Sequence, residues 1–179
     1  MDDTATFLPF TLATISAEPR HWPGRGSPNL EFLDLELLND VARRAEWGAR
    51  NSWRELLGGC SGPAGQQFPA RLRLLSGTAA VCAGPDWWGE RGRPHRDWLT
   101  RYESWIADAL AEGDGAGFAQ ALAGYDASLA GALLCSAHDR ATHNQAHPVR
   151  TDTDRVGAQR RTPSRRMTGW ARQTRAVTH

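Results

Sequence analysis

The sequence contains no lysine, and all 21 of its basic residues are arginine. Arginine codons are GC-rich whereas lysine codons are AT-rich, so this bias fits a gene from a GC-rich genome. The absence also limits the chemistry that the chain can perform. Without lysine there is no Schiff-base former, no phosphate-loop cation and no ammonium general base.

Cysteine and long apolar runs are also scarce. The three cysteines, Cys60, Cys82 and Cys135, are too few and too scattered for a disulfide scaffold, and an odd number fits a reducing compartment. No apolar run approaches the roughly 18 to 20 residues that cross a bilayer. The first residues are acidic where a secretory leader would be basic. We therefore expect a cytoplasmic protein that does not bind a membrane.

Charge is distributed unevenly along the chain. The net charge is +1, but residues 1–137 carry 12 arginines against 17 acidic residues, whereas residues 138–179 carry 9 arginines against 3 aspartates. Residues 138–179 also contain no Leu, Ile, Phe or Tyr. So little apolar surface cannot offset an ordering cost of about 1–2 kcal/mol per residue. The sequence therefore predicts a disordered, arginine-rich C-terminal tail.

Apolar residues at spacings of three and four predict helices in the middle of the chain. The first begins at Ser27-Pro28, because serine is a favoured cap and proline suits the first helical position. It ends either near Gly48 or at Gly58. Further apolar stripes, separated by turns rich in glycine or proline, begin near Phe68, Trp98 and Phe118.

The predicted architecture is all-α, with an antiparallel bundle of four or five helices over residues 28–137. We expect an extended, irregular lead-in over residues 1–27, where Pro9 argues against a central strand. The turn-rich residues 84–94 are expected to form a loop. Residues 109–126 are similar to half of a tetratricopeptide unit, but no second copy occurs at the expected spacing, so a repeat fold is not predicted.

The chain contains eight tryptophans but only two tyrosines. Trp98, Tyr102 and Trp105 share one predicted helical stripe. We interpret them as core residues. The alternative is that they form the wall of a ligand pocket together with Phe118, with His95 or Asp97 facing inward.

A second aromatic pair, Trp87-Trp88, lies in the turn-rich loop and is followed by Arg91 and Arg93. Aromatic rings beside guanidinium groups can stack on nucleic-acid bases or bind a partner protein. The other interpretation is a loop that folds back as a lid on the bundle.

The tail supplies the candidates for nucleic-acid contact. Dispersed guanidinium groups on a flexible chain can follow a phosphate backbone, with binding dominated by counterion release. The competing interpretations are a solvated tail without a partner, a tail that folds back onto the acidic bundle, and out-of-frame translation of a GC-rich gene. The candidate residues are Arg160, Arg161, Arg165, Arg166 and Trp170.

Metal and catalytic chemistry find little support in the sequence. Cys135, His138, His143 and His147 approach the spacing of a small zinc knuckle, but the segment lacks a second thiolate and the glycines of its tight turns. We therefore predict no metal site and no cofactor. The chain has no nucleophile elbow, metalloprotease, phosphate-loop or dinucleotide motif, so no catalytic residue is nominated.

These observations favour a non-enzymatic, cytoplasmic regulatory or adaptor protein. In this hypothesis the bundle binds an unidentified protein partner, and the tail adds sequence-tolerant contact with nucleic acid. The alternative hypothesis is a small-molecule-binding helical domain with an aromatic-lined pocket, with or without enzymatic activity.

Overall fold

The described part of the chain is helical, as predicted. The computed structural model describes residues 6–17, 28–59 and 62–146 and, within them, all side chains except those of residues 28–33 and 144–146. These ranges contain six helices and no strand, which confirms the all-α prediction. The helices are α1 (Pro9–Ala17), α2 (Pro28–Leu57), α3 (Pro63–Ala83), α4 (Pro85–Gly89), α5 (Arg93–Glu112) and α6 (Gly115–Ala146).

The helices pack as two antiparallel pairs, α2 with α3 and α5 with α6. In the first pair, the Glu55 carboxylate accepts a hydrogen bond from the backbone N–H of Ala64 close to the turn. At the far end of the same pair, the Cys82 thiol donates to the carbonyl of Asp34. Because α3 also contacts α5 and α6, it joins the two pairs into one bundle.

The core takes large side chains from α2, α3, α5 and α6. Tyr125 is the largest fully buried side chain, and its hydroxyl donates to the carbonyl of Leu72 at 2.8 Å. Burial raises the pKa of Tyr125 well above its usual range, so the hydroxyl keeps the proton that it donates. The other large, fully buried side chains are Phe68, Phe118, Leu8, Leu38, Leu72, Leu75, Leu99, Ile106, Leu122, Leu129 and Leu133.

The predicted irregular lead-in over residues 1–27 contains α1, so that prediction was wrong for residues 9–17. No acidic residue occupies the first turn of α1. Asp126 of α6 caps the helix instead, because its carboxylate accepts hydrogen bonds from the N–H groups of Phe10 and Thr11, each at 2.8 Å. The first N–H groups of a helix have no partner within it, and a carboxylate is a strong acceptor for them.

A second carboxylate, Glu46 of α2, holds the residues just before α1. It accepts hydrogen bonds from the N–H of Phe7 at 2.9 Å and of Leu8 at 2.8 Å, and it forms an ion pair with Arg50 at 2.7 Å. Glu46 and Asp126 are both buried, and each is satisfied by backbone donors. Because both lie far along the chain from α1, local sequence gave no signal of this helix.

The helices of the first pair differ in how well their ends were predicted: α2 ends at the later of its two predicted ends, and α3 begins earlier than predicted. α2 continues through Gly48 to Leu57, which settles the open choice between its two predicted ends. A Cβ on Gly48 would lie 3.0 Å from the Phe68 ring, so this glycine allows a close approach to α3 and does not end α2. α3 begins at Pro63, before the first predicted apolar residue, and the Glu55 carboxylate accepts from the N–H groups of its first turn.

Two further segments depart from the predicted organisation. Residues 84–94 include the short helix α4 where a loop was expected. α6 runs to Ala146, so the first residues of the predicted tail 138–179 are helical and the predicted domain boundary after residue 137 falls inside a helix. The remainder of the tail lies outside the described residues, and so does the prediction of disorder there. Among the described helices, none has the length and apolar character of a membrane span.

Candidate functional site

α5 carries apolar side chains on two neighbouring faces, and only one of them packs in the core. Leu99 and Ile106 are buried, whereas Trp98 and Trp105 are 45% and 51% exposed. Successive residues of an α-helix point about 100° apart, so a helix that buries Leu99 turns Trp98 toward its edge. The prediction that Trp98, Tyr102 and Trp105 are core residues was therefore wrong for the two tryptophans.

The three aromatic side chains of α5 contact one another and form a continuous surface. The rings of Trp98 and Tyr102 stack with their centroids 5.8 Å apart, and Tyr102 meets Trp105 edge-on at 5.3 Å. The guanidinium carbon of Arg101 lies 5.0 Å from the centroid of the Trp98 ring, which is the geometry of a cation–π contact. We call Trp98, Arg101, Tyr102 and Trp105 the aromatic face.

Tyr102 fixes the aromatic face against α6. The tyrosine is partly buried, and a Cβ built on Gly124 of α6 would lie only 2.4 Å from its ring. Glycine within a helix costs roughly 0.5–1 kcal/mol relative to alanine. In this helix it admits the ring of Tyr102, which in turn supports the two tryptophans.

An open groove of about 370 Å³ adjoins the aromatic face. It is lined by the rings of Tyr102 and Trp105 and by the carboxylates of Asp108, Glu112 and Asp114. Within the described residues, neither Asp108 nor Glu112 takes part in an ion pair, whereas Asp114 accepts a hydrogen bond from the backbone at the start of α6. The groove therefore combines aromatic rings with uncompensated negative charge, a combination that suits a cationic group.

The aromatic pocket of the small-molecule hypothesis is not assembled as expected. Phe118 is fully buried and packs against Phe7 and Trp53, with centroids 6.4 and 6.2 Å away. It therefore lines the core, and the groove beside Trp105 does not include it. That hypothesis allowed His95 or Asp97 to face inward. Asp97 is exposed, whereas His95 is partly buried, but its ring stacks on Trp87 and does not line the groove.

Trp87 attaches α4 to α6 through Asp139. Its indole N–H donates to Asp139 Oδ2 at 2.7 Å, and Arg91 lies 3.1 Å from the same oxygen. The hydrogen bond from Trp87, assisted by Arg91, holds the pKa of Asp139 below its usual value. The Trp87 ring also stacks on His95 with centroids 6.1 Å apart, so its indole is engaged within the molecule.

Of the other candidate residues near α4, Trp88 packs against the bundle and Arg93 lies on its surface. Trp88 is partly buried against the core, which is the arrangement of a lid folded onto the bundle. Arg93 remains exposed, with its guanidinium 4.0 Å from the carboxylate of Asp97. The structure therefore does not bring Trp87 and Trp88 together with the aromatic face as one open surface.

Cys82 of α3 is not an activated nucleophile. Burial, and secondarily the charge of Asp34, raises the pKa of Cys82 to about 11. A thiol in this state stays protonated near neutral pH, whereas reactivity requires the thiolate.

Three of the four candidate ligands of a zinc knuckle lie along one continuous helix. Cys135, His138 and His143 all belong to α6, and among the described residues no group of three or more His, Cys, Asp or Glu side chains is placed to hold a metal ion. His147 lies outside the described residues. The tail candidates Arg160, Arg161, Arg165, Arg166 and Trp170 also lie outside the described residues.

Sequence analysis missed the acidic half of the site. Neither Asp108, Glu112 nor Asp114 was predicted from the sequence to belong to a binding site. Their signal was present, because Asp108 follows Trp105 by three residues and Glu112 follows Asp108 by four, which places all three on one side of a helix.

No family model, curated protein or solved structure matches this chain. The function is therefore argued from the geometry and chemistry of the site.

Proposed function

We propose that this protein is a non-enzymatic regulatory or adaptor protein whose bundle binds a protein partner through the aromatic face of α5. Its arginine-rich C-terminal residues would add sequence-tolerant contact with nucleic acid. The observation that carries the proposal is the cluster of Trp98, Arg101, Tyr102 and Trp105, packed ring on ring yet open to solvent.

The composition of this cluster supports a protein partner. Tryptophan, tyrosine and arginine are the residues most enriched among the hot spots of protein interfaces. A half-exposed tryptophan keeps a large apolar area in water, and a partner would gain from covering it. Because Tyr102 is held against Gly124, the rings are already ordered and little side-chain entropy would be lost on binding.

The partner half of the proposal can be tested by site-specific photo-crosslinking in cells. A benzophenone amino acid at position 98 should capture a partner that the same residue at position 47 does not. Trp47 is a matched control, because it is 58% exposed and also lies under an arginine, Arg71, at 5.1 Å.

The captured partner must then be purified and its affinity measured. Trp98→Ala combined with Trp105→Ala should weaken binding at least about 30-fold, the scale of one hot spot. Trp47→Ala should leave the affinity unchanged. An unchanged affinity in the double variant, or an equal loss with Trp47→Ala, would contradict the proposed site.

The nucleic-acid half rests on the sequence of the tail. If about six arginines contact phosphates, the logarithm of the affinity should fall with the logarithm of salt concentration at a slope near −5 on duplex DNA. Fluorescence anisotropy with generic labelled DNA at several salt concentrations measures this slope. An affinity that does not depend on salt would refute tail contact.

A matched pair of variants assigns the slope to the tail. Replacing four tail arginines with glutamine should reduce its magnitude by about three to four, because each lost phosphate contact removes about 0.9. Four exposed bundle arginines changed in the same way should leave it unaltered. The tail set is Arg160, Arg161, Arg165 and Arg166, and the control set is Arg43, Arg44, Arg54 and Arg73.

A second candidate function is small-molecule binding in a different place from the one the sequence suggested. A cleft of about 330 Å³ lies between α2, α3 and α5, at the lower end of the size range of ligand sites. Ser52 lines this cleft, and its buried hydroxyl has no hydrogen-bond partner among the described residues. Buried polar groups are normally satisfied, so a ligand with a polar atom would complete this site.

Ligand-observed NMR with a fragment library tests this second function. Fragments that bind should lose at least about tenfold in affinity in Ser52→Ala, which removes the hydroxyl with little change of volume. Ser104→Ala, at an exposed serine of α5, is the control. Fragments that bind both variants as well as the wild type would place the site elsewhere.

A further inference from the structure

Trp105 differs in its surroundings from the other exposed tryptophans of the described residues. Each of the other two has a guanidinium group over its ring: Arg71 lies 5.1 Å from the centroid of Trp47, and Arg101 lies 5.0 Å from that of Trp98. Trp105 is 51% exposed, and within the described residues no arginine makes such a contact with it. The bundle therefore leaves this indole without a cation.

An aspartate stands beside Trp105 where an arginine stands beside Trp98. Arg101 follows Trp98 by three residues, and Asp108 follows Trp105 by three residues, about two turns later along α5. Side chains three residues apart are neighbours on the surface of a helix. The position that supplies a guanidinium group to the first tryptophan therefore supplies a carboxylate next to the second.

The open groove beside the aromatic face carries negative charge that its surroundings do not neutralise. Three carboxylates line it, those of Asp108, Glu112 and Asp114, and no basic residue does. Residues 102–137 contain no arginine, lysine or histidine. Arg101 precedes Asp108 by seven residues, about 10 Å along the helix axis, a distance over which salt screens exposed charges at physiological ionic strength.

A guanidinium group fits both parts of this groove. It is planar and can stack on the ring of Trp105, and its N–H groups form a fork that can donate to a carboxylate at the same time. A lysine ammonium is a compact, strongly hydrated point charge and offers no plane for stacking. A carboxylate next to an exposed indole therefore favours arginine over lysine.

We infer that the partner of the aromatic face inserts an arginine side chain into this groove, over the ring of Trp105 and against the carboxylates of Asp108 and Glu112; this inference rests on the proposed function. The occupant is a segment of another protein, because charge complementarity requires a basic group that the walls of the groove do not supply. Arginine is also one of the residues most enriched among interface hot spots.

Titration of the full chain with short capped peptides tests the groove directly. The probe is acetyl-Gly-Gly-Arg-Gly-Gly-amide, and the comparison peptides carry lysine or citrulline, an uncharged analogue of arginine, in its place. Proton–nitrogen NMR follows the indole N–H of Trp105, which Trp105→Phe identifies. The arginine peptide should shift this signal saturably, the lysine peptide should bind at least about threefold more weakly, and the citrulline peptide should leave the signal in place.

Matched variants locate the peptide on the protein. Asp108→Asn with Glu112→Gln removes two charges and preserves side-chain size, so it should weaken binding of the arginine peptide at least about fivefold. Glu36→Gln with Asp40→Asn removes the same charge from an exposed part of α2 and should leave the affinity nearly unchanged. All four positions are exposed, so both variants should keep the thermal stability of the wild type by circular dichroism.

Four results would overturn the inference. Equal binding of the citrulline peptide would show that charge is not recognised, and equal binding of the lysine peptide would exclude a preference for guanidinium. An equal loss in the α2 variant would indicate general attraction to an acidic protein. A Trp105 signal that does not move at the highest peptide concentration would show that the groove does not bind arginine.

Failure of the inference and failure of the proposed function give different results. If the peptide does not bind, photo-crosslinking at position 98 still decides whether a protein binds the aromatic face. If the peptide binds and position 98 captures no partner, the preference of the groove for arginine stands and the proposed function is contradicted.

Discussion

Replacing Asp126 with alanine should release α1 from the bundle. The Asp126 side chain is 1% exposed, and its two carboxylate oxygens accept the N–H groups of Phe10 and Thr11, each at 2.8 Å. Alanine would leave both donors without an acceptor at the start of a helix whose own first turn supplies no acidic residue. The cap of α1 depends on a residue more than a hundred positions away in the chain.

The expected magnitude follows from the two hydrogen bonds. Hydrogen bonds to a charged group contribute about 1.5–3 kcal/mol each, so the loss of two in Asp126→Ala should lower the free energy of unfolding by about 3–6 kcal/mol. Asp126→Asn keeps one oxygen acceptor but turns an NH2 donor toward the other backbone N–H, so it should cost more than half as much as the alanine substitution. Asp108→Ala, at an exposed aspartate of α5, should change stability by less than about 0.5 kcal/mol.

Urea unfolding measures the global effect, and amide hydrogen exchange locates it. Exchange protection should be lost first at the amides of α1, since the remaining contacts of α1 are few compared with those of α5 and α6. A loss below about 1 kcal/mol for Asp126→Ala, or unchanged protection of the Phe10 and Thr11 amides, would refute the reasoning that a distant carboxylate holds this helix.

Three further predictions concern polar groups in and around the bundle. Tyr125→Phe removes one buried hydrogen bond and should cost about 1 kcal/mol in urea unfolding; no change would mean that the bond contributes nothing. Burial raises the pKa of Glu103, so wild-type stability should decline as pH rises through that pKa. Glu103→Gln, which keeps an oxygen to accept from Ser76 at 2.9 Å, should abolish the decline, and the same decline in both proteins would contradict this. The pKa of Asp139 is lower in the folded protein than in the unfolded chain. The ionised side chain therefore stabilises the fold above the ordinary aspartate pKa of about 4, and this stabilisation is lost as pH falls through the lower, folded-state pKa. Trp87→Phe removes the donor, so an NMR titration should find the pKa of Asp139 raised, and an unchanged pKa would show that Trp87 is not the cause.

Much of the helical framework could be predicted from the sequence. Apolar residues at spacings of three and four predict α2, α5 and α6, because a helix that packs on one side must repeat its apolar residues with the period of the helix. α1 could not be predicted, since its cap and anchor are Glu46 and Asp126 on other helices. α3 began earlier than predicted for a related reason, because Glu55 satisfies its first turn.

The candidate site, like the fold, could be predicted from the sequence only in part. The sequence by itself determined that α5 is a helix with apolar residues on two neighbouring sides, Trp98 and Trp105 on one and Leu99 and Ile106 on the other. Only the tertiary structure decided which stripe is buried, because α5 can turn just one side toward α3 and α6, and Leu99 and Ile106 occupy it. Trp98 and Trp105 are left in solvent for that reason, and Gly124 on α6 provides the space that holds Tyr102 between them. Periodicity is a property of one helix, whereas burial depends on which neighbours that helix meets.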